Sequence, residues 1–420
     1  MKWNKPGHEF DELGGKFIKN RKLIVIGDDF DQASFYLNRR ITDVLQFLNV
    51  PVKLVKFSIK NLQKKWFTKL IIHMLNFKYK LFKQHAVIIT HYKYQDVNKA
   101  IMLRNILKEI FPNLMVYDST EFLEKQMSIF AAYVQDKIYV RDTCIIVTTG
   151  CTLNCKYCLN FTPFIKHAKS ISLEKLKEEA DIYFKVVDYV GFFQISGGEP
   201  LTYKYLAEYI EWVAEKYSNQ IGQILLATNG TLLPDERLAN VLKKYGVILL
   251  LDNYTQAVPS TKPTRDKLIN FLEEHGIDSR DYGENQQFFK FFPANEDYSK
   301  LSEKELSERA DKCWGLQPWR NLRDGRIYYC NFSSFAVTAG IIQDDPRNYM
   351  DLKNFDCSKK KELLEFFMGY SVLGYDTFCT LCNGINESNT LERRPAGEQA
   401  KGKFGWHSGM TLSEFEEMNL

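Results

Sequence analysis

Cys151-Thr-Leu-Asn-Cys155-Lys-Tyr-Cys158 places three thiols at C-x₃-C-x₂-C spacing, directly after the apolar run Cys144-Ile-Ile-Val-Thr-Thr-Gly150. Three thiolates can hold three irons of a [4Fe–4S] cube and leave the fourth iron without a protein ligand. An open iron is a place for a small molecule to bind and react, as an open position on zinc marks a catalytic site. A structural cluster would want four thiolates. Two other readings fit the same residues. One is a Cys₃His zinc site completed by His167. The other is three cysteines that are simply buried, since free Cys is among the most buried residue types.

Working outward, the next signal is Gln194-Ile-Ser-Gly-Gly-Glu-Pro200, which follows Val190-Gly-Phe-Phe193. Together they read as a strand running into a tight turn at the paired glycines. Gly197 and Gly198 permit close backbone approach to a ligand. Glu199 puts a carboxylate at the mouth of a sheet, where it can accept from an ammonium group. The motif lies about one β-α unit beyond the three-cysteine loop, and that placement gives it weight.

On these two motifs the chain resembles the radical S-adenosylmethionine (SAM) superfamily over roughly residues 140 to 300. The resemblance implies that Cys151, Cys155 and Cys158 ligate a [4Fe–4S] cluster whose open iron chelates SAM. It places Tyr157 near the adenine, and Gly197, Gly198, Glu199 and Pro200 at the SAM amino group. Leu225-Leu-Ala-Thr-Asn-Gly230 looks like the next strand end of that family, which brings Thr228 and Asn229 to the ribose or the methionyl carboxylate. Val247-Ile-Leu-Leu-Leu-Asp-Asn253 looks like the strand after it. There Asp252 and Asn253 depart from the family's more usual Ser-x-Asp pattern. Ordinary polar strand-end residues are the alternative for these last four.

A second cysteine set follows. Cys313 and Cys330 flank Gly325 in the spacing C-x₁₁-G-x₄-C, and Cys379-Thr-Leu-Cys382 lies far downstream. Two pairs make a complete four-thiolate set. The spacing is similar to the twitch half of the SPASM-type extension of the same superfamily, which implies one auxiliary [4Fe–4S] cluster. A structural Zn(Cys)₄ site is the alternative. Gly325 to Thr338 alternates well enough for a hairpin. Cys144 reads as a core residue. Cys357, in a charged stretch, reads as a ligand, a hydrogen-atom donor or nothing.

The chain has 420 residues, enough for two or three domains. Its 45% hydrophobic and 26% charged content is ordinary for a globular protein, and 30 Phe and 23 Tyr supply large cores. A net charge of +4 is too small to argue for nucleic acid. Nine cysteines, an odd number with metal-type spacing, argue against a disulfide scaffold. No signal-peptide core is visible, and no apolar run approaches about 18 residues, so a reduced cytoplasm is the expected compartment.

The expected fold is α/β in successive blocks: an N-terminal arm over 1–20, a small parallel Rossmann-like domain over 21–135, a partial (β/α)₆ barrel over 140–304, a twitch-like cluster domain over 305–400, and a tail over 401–420. In the first of these domains, strands are expected at Leu23–Gly27, Val52–Phe57, Ala86–Thr90 and Leu114–Asp118. Helices are expected at Ala33–Leu48 and Asp96–Ile110. Gly27-Asp-Asp-Phe30 lacks G-x-G-x-x-G, and two aspartates would repel a phosphate. Lysines interleave with aromatics over 60–83, which fits either a crossover helix or weak association with an anionic membrane surface. In the barrel, strands are expected near 144, 192, 223, 247 and 288, with the chemistry at their C-terminal ends. The tail Arg393-Arg-Pro-Ala-Gly-Glu-Gln399 resembles a terminal segment of radical SAM proteins encoded near surface-polysaccharide genes.

The resemblance implies a reaction. SAM is cleaved reductively, with an external one-electron donor of flavodoxin or ferredoxin type, and a 5′-deoxyadenosyl radical takes hydrogen from a substrate carbon. An auxiliary cluster that accepts the next electron suits oxidation of an alcohol to a ketone, with Glu284, Asp252 or Tyr254 as candidate bases. The leading expectation is dehydrogenation or epimerisation of a sugar, sugar nucleotide or aminocyclitol. A peptide maturase, an activator of a glycyl-radical enzyme and a non-enzymatic iron–sulfur redox protein are the alternatives.

Overall fold

The structure is a computed structural model that describes residues 1–27, 41–56, 65–80, 85–91, 97–316, 319–386 and 392–419. The chain divides into two compact units, Gly7–Arg141 and Met1–Pro6 with Asp142–Leu420.

The unit Gly7–Arg141 runs α1 (Asp11–Lys19), β1 (Lys22–Gly27), α2 (Ile41–Gln46), β2 (Val52–Lys56), α3 (Lys65–Tyr79), β3 (Ala86–His91), α4 (Val97–Ile110) and β4 (Met115–Asp118). Beyond β4, α5 (Ser119–Glu121) passes through a π-helical turn into α6 (Met127–Gln135). The four strands pair in parallel in the order β2-β1-β3-β4. The uninterrupted apolar run Leu23-Ile-Val-Ile26 is fully buried, as a central strand covered on both faces must be. Gly27 packs so tightly on the His91 carbonyl that a Cβ would collide with it. The Asp28-Asp-Phe30 stretch beyond Gly27, where the sequence argues against a phosphate site, the first part of the Ala33–Leu48 helix and parts of the 60–83 segment lie outside the described residues. The expected arm over 1–20 is instead split. Residues 11–19 form α1, whose Phe17 ring is buried against Phe130 at 5.3 Å, while Met1–Pro6 belongs to the other unit.

That other unit is built on repeating strand-helix steps: β5 (Tyr139–Thr148), α7 (Leu173–Val186), β6 (Tyr189–Gly197), α8 (Leu206–Lys216), β7 (Ile221–Thr228), α9 (Glu236–Lys244), β8 (Ile248–Leu251), α10 (Lys262–His275) and β9 (Ser279–Asp281). Ser172 and Asp235 cap α7 and α9 by accepting from Lys175 N and Leu238 N. Gly276, at φ +62°, ends α10 in the left-handed conformation that favours glycine. β10 (Gln287–Phe289), α11 (Glu303–Asp311), β11 (Trp319–Arg323), β12 (Arg326–Tyr328), α12 (Asn331–Thr338), β13 (Tyr349–Asp351), α13 (Lys360–Phe367), β14 (Arg393–Pro395) and α14 (Leu412–Glu417) complete it. Eight strands form one open sheet in the order β13-β12-β11-β5-β6-β7-β8-β9, with β6 to β9 mutually parallel. This is an α/β fold of partial-barrel type.

Three further expectations differ from the structure. The strand near 288, β10, does not join the main sheet: β9 holds that edge, and β10 pairs antiparallel with β14, about a hundred residues downstream. Residues 325–338 are not one hairpin. The turn is Asp324-Gly325, both at positive φ, between β11 and β12, and residues 331–338 coil into α12 with Phe332, Phe335 and Ala336 buried at helical spacing. Residues 305–400 are not a separate body, because β11 lies parallel beside β5 and extends the same sheet. Among the described residues no helix is long and apolar enough to cross a membrane.

Candidate active site

The strand β5 leads into the cysteine loop, and β6 ends on the glycine pair beside it. Gly198 N donates to Thr148 O at 2.8 Å and Glu199 N to Gly150 O at 2.7 Å. A Cβ on Gly197 would collide with Thr148 O, and one on Gly198 with Gly150 O. The two glycines are therefore required for close approach to the backbone that launches the cysteine loop. Asn160 pins the loop from its far side, donating through Nδ2 to Gly197 O.

Cys151, Cys155 and Cys158 line one cavity of about 320 Å³, together with Gly197, Gly198, Thr228, Asn229 and Asp252. These residues come from the ends of four successive strands, where a sheet of this type presents its chemistry. The sulfurs already have donors aimed at them. Leu153 N and Asn229 Nδ2 each reach Cys151 Sγ at 3.5 Å, Asn160 N reaches Cys158 Sγ at 3.4 Å, and Gln399 Nε2 reaches Cys155 Sγ at 3.5 Å. Burial pushes the Cys151 thiol up to about 11 and holds Cys155 well above the usual thiol range. Binding a metal here therefore displaces protons. Lys403, whose own pKa burial lowers, donates to Thr162 O at 2.7 Å on the rim of the loop.

Three residues expected at SAM stand back from the cavity. Glu199 is fully buried, accepting from Leu201 N at 3.0 Å, Thr228 Oγ1 at 2.9 Å and Asn229 N at 2.7 Å. Its carboxylate ties the end of β7 to the glycine turn, and burial pushes its pKa up to about 7. Tyr157 points to the C-terminal helix, with its hydroxyl donating to Glu416 Oε1 at 2.7 Å and its ring 6.1 Å from that of Phe415. Pro200, itself buried, opens a 3₁₀ turn.

Asp252 faces the cavity and accepts from Gln286 Nε2 at 2.7 Å and Tyr254 Oη at 2.9 Å. Burial raises its pKa while those two donors oppose the rise. Tyr254 also lines the cavity, whereas Glu284 is exposed and does not. Several lining residues went unnoticed in the sequence: Gln194, Ser196, Gln286, Tyr282, Phe288, Asn331 and Phe335. Gln194 and Ser196 carried a signal, being polar residues at alternating positions of an otherwise apolar strand. Cys144, read as core, is 7% exposed and also lines this cavity, with its thiol pushed up to about 12 by burial.

The second set is brought together as well. Cys313 follows α11, Cys330 precedes α12, Cys379 and Cys382 lie in and after a 3₁₀ turn, and all four line a cavity of about 30 Å³ with Phe332 and Phe378. Ile385 N donates to Cys313 Sγ at 3.4 Å and Gly384 N to Cys382 Sγ at 3.2 Å. Burial raises the thiols of Cys330, Cys379 and Cys382 well above their usual range. Cys357 is exposed and lines neither cavity. Among the described residues no three His, Cys, Asp or Glu side chains are drawn together as around a single bound ion; each cysteine set instead faces its cavity.

Residues 145–277 match the family model described as the Radical SAM superfamily. This part of the chain belongs to the radical SAM superfamily. The match spans β5 to α10 and contains the three-cysteine loop, the glycine pair and the ends of β7 and β8. The chain is similar to L-lysine 2,3-aminomutase of Methanococcus maripaludis, 26% identical over 138 residues that make up 31% of each protein. It is similar also to GTP 3′,8-cyclase of Helicobacter pylori, 33% identical over 140 residues, 32% of this chain and 41% of that one. The chain thus spans less than half the length of the curated relatives it matches. A solved structure of BtrN in complex with AdoMet and 2-DOIA is 18% identical, covers 59% of this chain and 95% of its own, and has a TM-score of 0.37. The radical SAM family uses a [4Fe–4S] cluster and SAM. The first cysteine set fits that cluster: three thiols, each met by an N–H donor, open on a cavity of about 320 Å³, within the ~300–1,000 Å³ of ligand pockets.

Proposed function

We propose that this protein is a radical SAM enzyme acting on a small polyol, a sugar or an aminocyclitol, by dehydrogenation or epimerisation. The observation that carries this reading is the single cavity shared by the three loop thiols and the polar strand ends. With the cluster and SAM bound there, the chemistry supplied is abstraction of a hydrogen atom from unactivated carbon. Gly197, Gly198, Thr228 and Asn229 form the SAM side of the cavity. Gln194, Ser196, Gln286 and Asn331 present amides and a hydroxyl that match a ring of hydroxyl groups.

Apart from thiols and phenols, Asp252 is the one ionisable group among the described lining residues, and the lining has no Lys or Arg. That composition favours a neutral or amine-bearing ring over the diphosphate of a sugar nucleotide, which would want a cation or a helix N-terminus. It also singles out Asp252, of the three candidate bases, as the carboxylate placed to take a hydroxyl proton. On this reading Cys313, Cys330, Cys379 and Cys382 would hold an auxiliary [4Fe–4S] cluster of twitch type, which would supply an acceptor for the electron left on the substrate. An external one-electron donor of flavodoxin or ferredoxin type restores the first cluster. A role in surface-polysaccharide synthesis in the cytoplasm and weak contact of residues 60–83 with an anionic membrane belong to the same proposal.

The test is anaerobic reconstitution, followed by incubation with SAM, a reductant and a panel of hexoses, aminocyclitols and sugar nucleotides. Formation of 5′-deoxyadenosine should rise several-fold with one class of neutral or amino polyol, and deuterium should move from that substrate into 5′-deoxyadenosine. Stimulation by peptides and not by polyols would overturn the substrate class. Absence of SAM cleavage in protein carrying its full iron would overturn the enzyme.

A further inference from the structure

The C-terminal segment 393–419 wraps the first cysteine loop. Lys156 N donates to Glu398 O at 2.7 Å and Ala400 N to Asn154 O at 2.7 Å, and Cys155 pairs with Gln399 in an isolated antiparallel bridge. Asn154 Nδ2 donates to Gly402 O at 2.7 Å, and Phe404 N to Pro163 O at 2.8 Å. At the centre of this strap stands Gln399. Its Oε1 accepts from Asn154 N at 2.8 Å, while its Nε2 donates to Gly397 O at 2.6 Å and to Cys155 Sγ at 3.5 Å.

The orientation of this amide is determined by its neighbours. Rotated by half a turn, its oxygen would face the Gly397 carbonyl and the sulfur, and its NH₂ would face the Asn154 N–H. Cys151 takes donors from Leu153 N in its own loop and from Asn229 at the end of β7, and Cys158 takes one from Asn160 N. Cys155, only 5% exposed, is shielded from water, and among the described residues Gln399 is the one side chain donating to its sulfur.

We propose that Gln399 is a positioning residue of the cluster site, which fixes the Cys155 sulfur and raises the reduction potential of the cluster held there. This rests on the reading above that Cys151, Cys155 and Cys158 hold a SAM-binding cluster. Hydrogen bonds to ligand sulfurs help set the potentials of iron–sulfur clusters. An N–H aimed at sulfur favours the reduced form, which carries one more negative charge. The N–H donor on Cys155 is thus brought from nearly 250 residues downstream.

The test is an EPR-monitored redox titration of the full-length, reconstituted protein as wild type, Gln399→Leu and Gln399→Glu. Gln399 is itself exposed, so neither change disturbs the core. Gln399→Glu keeps an acceptor for Asn154 N and hence the strap. The SAM-responsive signal should shift to a more negative midpoint in both variants, more so in Gln399→Glu, whose carboxylate replaces the donor. Any signal from the second cysteine set should stay at its wild-type midpoint. Selective loss of iron from the first site alone in both variants would also support the proposal. An unchanged midpoint at full iron content in both variants would overturn it. Equal loss of both sites would overturn it too, because Gln399 would then be serving the fold as a whole. A wild-type protein without any SAM-responsive signal would sink the underlying reading, and this distinct failure shows before any variant is made.

Discussion

At the first cysteine loop three thiols share a cavity of about 320 Å³ with amides, hydroxyls and a carboxylate, whereas Cys313, Cys330, Cys379 and Cys382 ring about 30 Å³ walled by Phe332 and Phe378. The first set has one ligand too few for a cube and room beside it. The second has a full set and no room for a substrate. Ligand count and free space agree at each site, and on the proposed reading they separate a reactive centre from an electron store. The routes to assembly differ as well. The first set comes from eight consecutive residues, while the second is gathered from three segments by α11, α12 and a 3₁₀ turn.

The strongest test of this comparison removes one set at a time. The triple variant Cys151/Cys155/Cys158→Ala should lose all SAM cleavage and about half the iron, falling from about eight to about four per chain. The remaining signal should not respond to SAM. If the wild type binds only about four irons and the variant none, the second set holds zinc or nothing, and the internal electron acceptor must be given up. Metal analysis and EPR on the same samples distinguish the outcomes.

A second test uses a feature the two sites share. Each sits beside a fully buried carboxyl group, Glu199 and Asp376, and burial pushes both up to about 7. Their unfolded values lie near 4, so between about pH 4 and 7 the folded chain holds more protons than the unfolded one. The resulting stability is fully present below about pH 4 and is lost as pH rises through about 7. Each group contributes at most ~3–4 kcal/mol across that window. Metal-free protein should therefore melt at a lower temperature at pH 8 than at pH 5.5, and Asp376→Asn should reduce that difference. A melting temperature rising over the same interval would contradict the burial argument.

A third test concerns Tyr157, which separates what the local motif implies from where the side chain goes. Tyr157→Phe removes the hydroxyl bond to Glu416 and keeps the ring beside Phe415. The expected loss is about 1 kcal/mol of stability in denaturant melts, with SAM affinity unchanged. A several-fold weaker SAM affinity at unchanged stability would return the residue to the adenine.

Much of this was legible because it is local. The C-x₃-C-x₂-C loop, the apolar run of β1 and the capped starts of α7 and α9 depend on neighbours a few residues away. Gly197 and Gly198 were legible as close-approach residues, yet the nearest partner proved to be the backbone of Thr148 and Gly150. What escaped depends on distant partners. Neither the pairing of β10 with β14, nor the turn of Tyr157 toward Glu416, nor the reach of Gln399 to Cys155 leaves a mark within a short window. Helix α12 reads as a strand in the sequence because a period of two and a period of 3.6 both fit its short apolar stretch.

The smallest effect is expected at Cys357, and it bears on the chemistry. An epimerase that quenches its substrate radical with a cysteine needs that thiol within reach of the substrate carbon. Cys357 begins a 3₁₀ turn, is exposed and lines neither cavity. Cys357→Ala should leave iron content, SAM cleavage and product distribution as in the wild type, with stability changed by less than ~0.5 kcal/mol. If product formation stops while SAM cleavage continues, the substrate must lie outside the 320 Å³ cavity, and the assignment of that cavity to both SAM and substrate fails. If nothing changes, any thiol donor has to come from inside the cavity, where Cys144 is the one lining cysteine outside the three-cysteine loop. Dehydrogenation, which needs a base, the role proposed above for Asp252, and no second hydrogen donor, is then the simpler outcome.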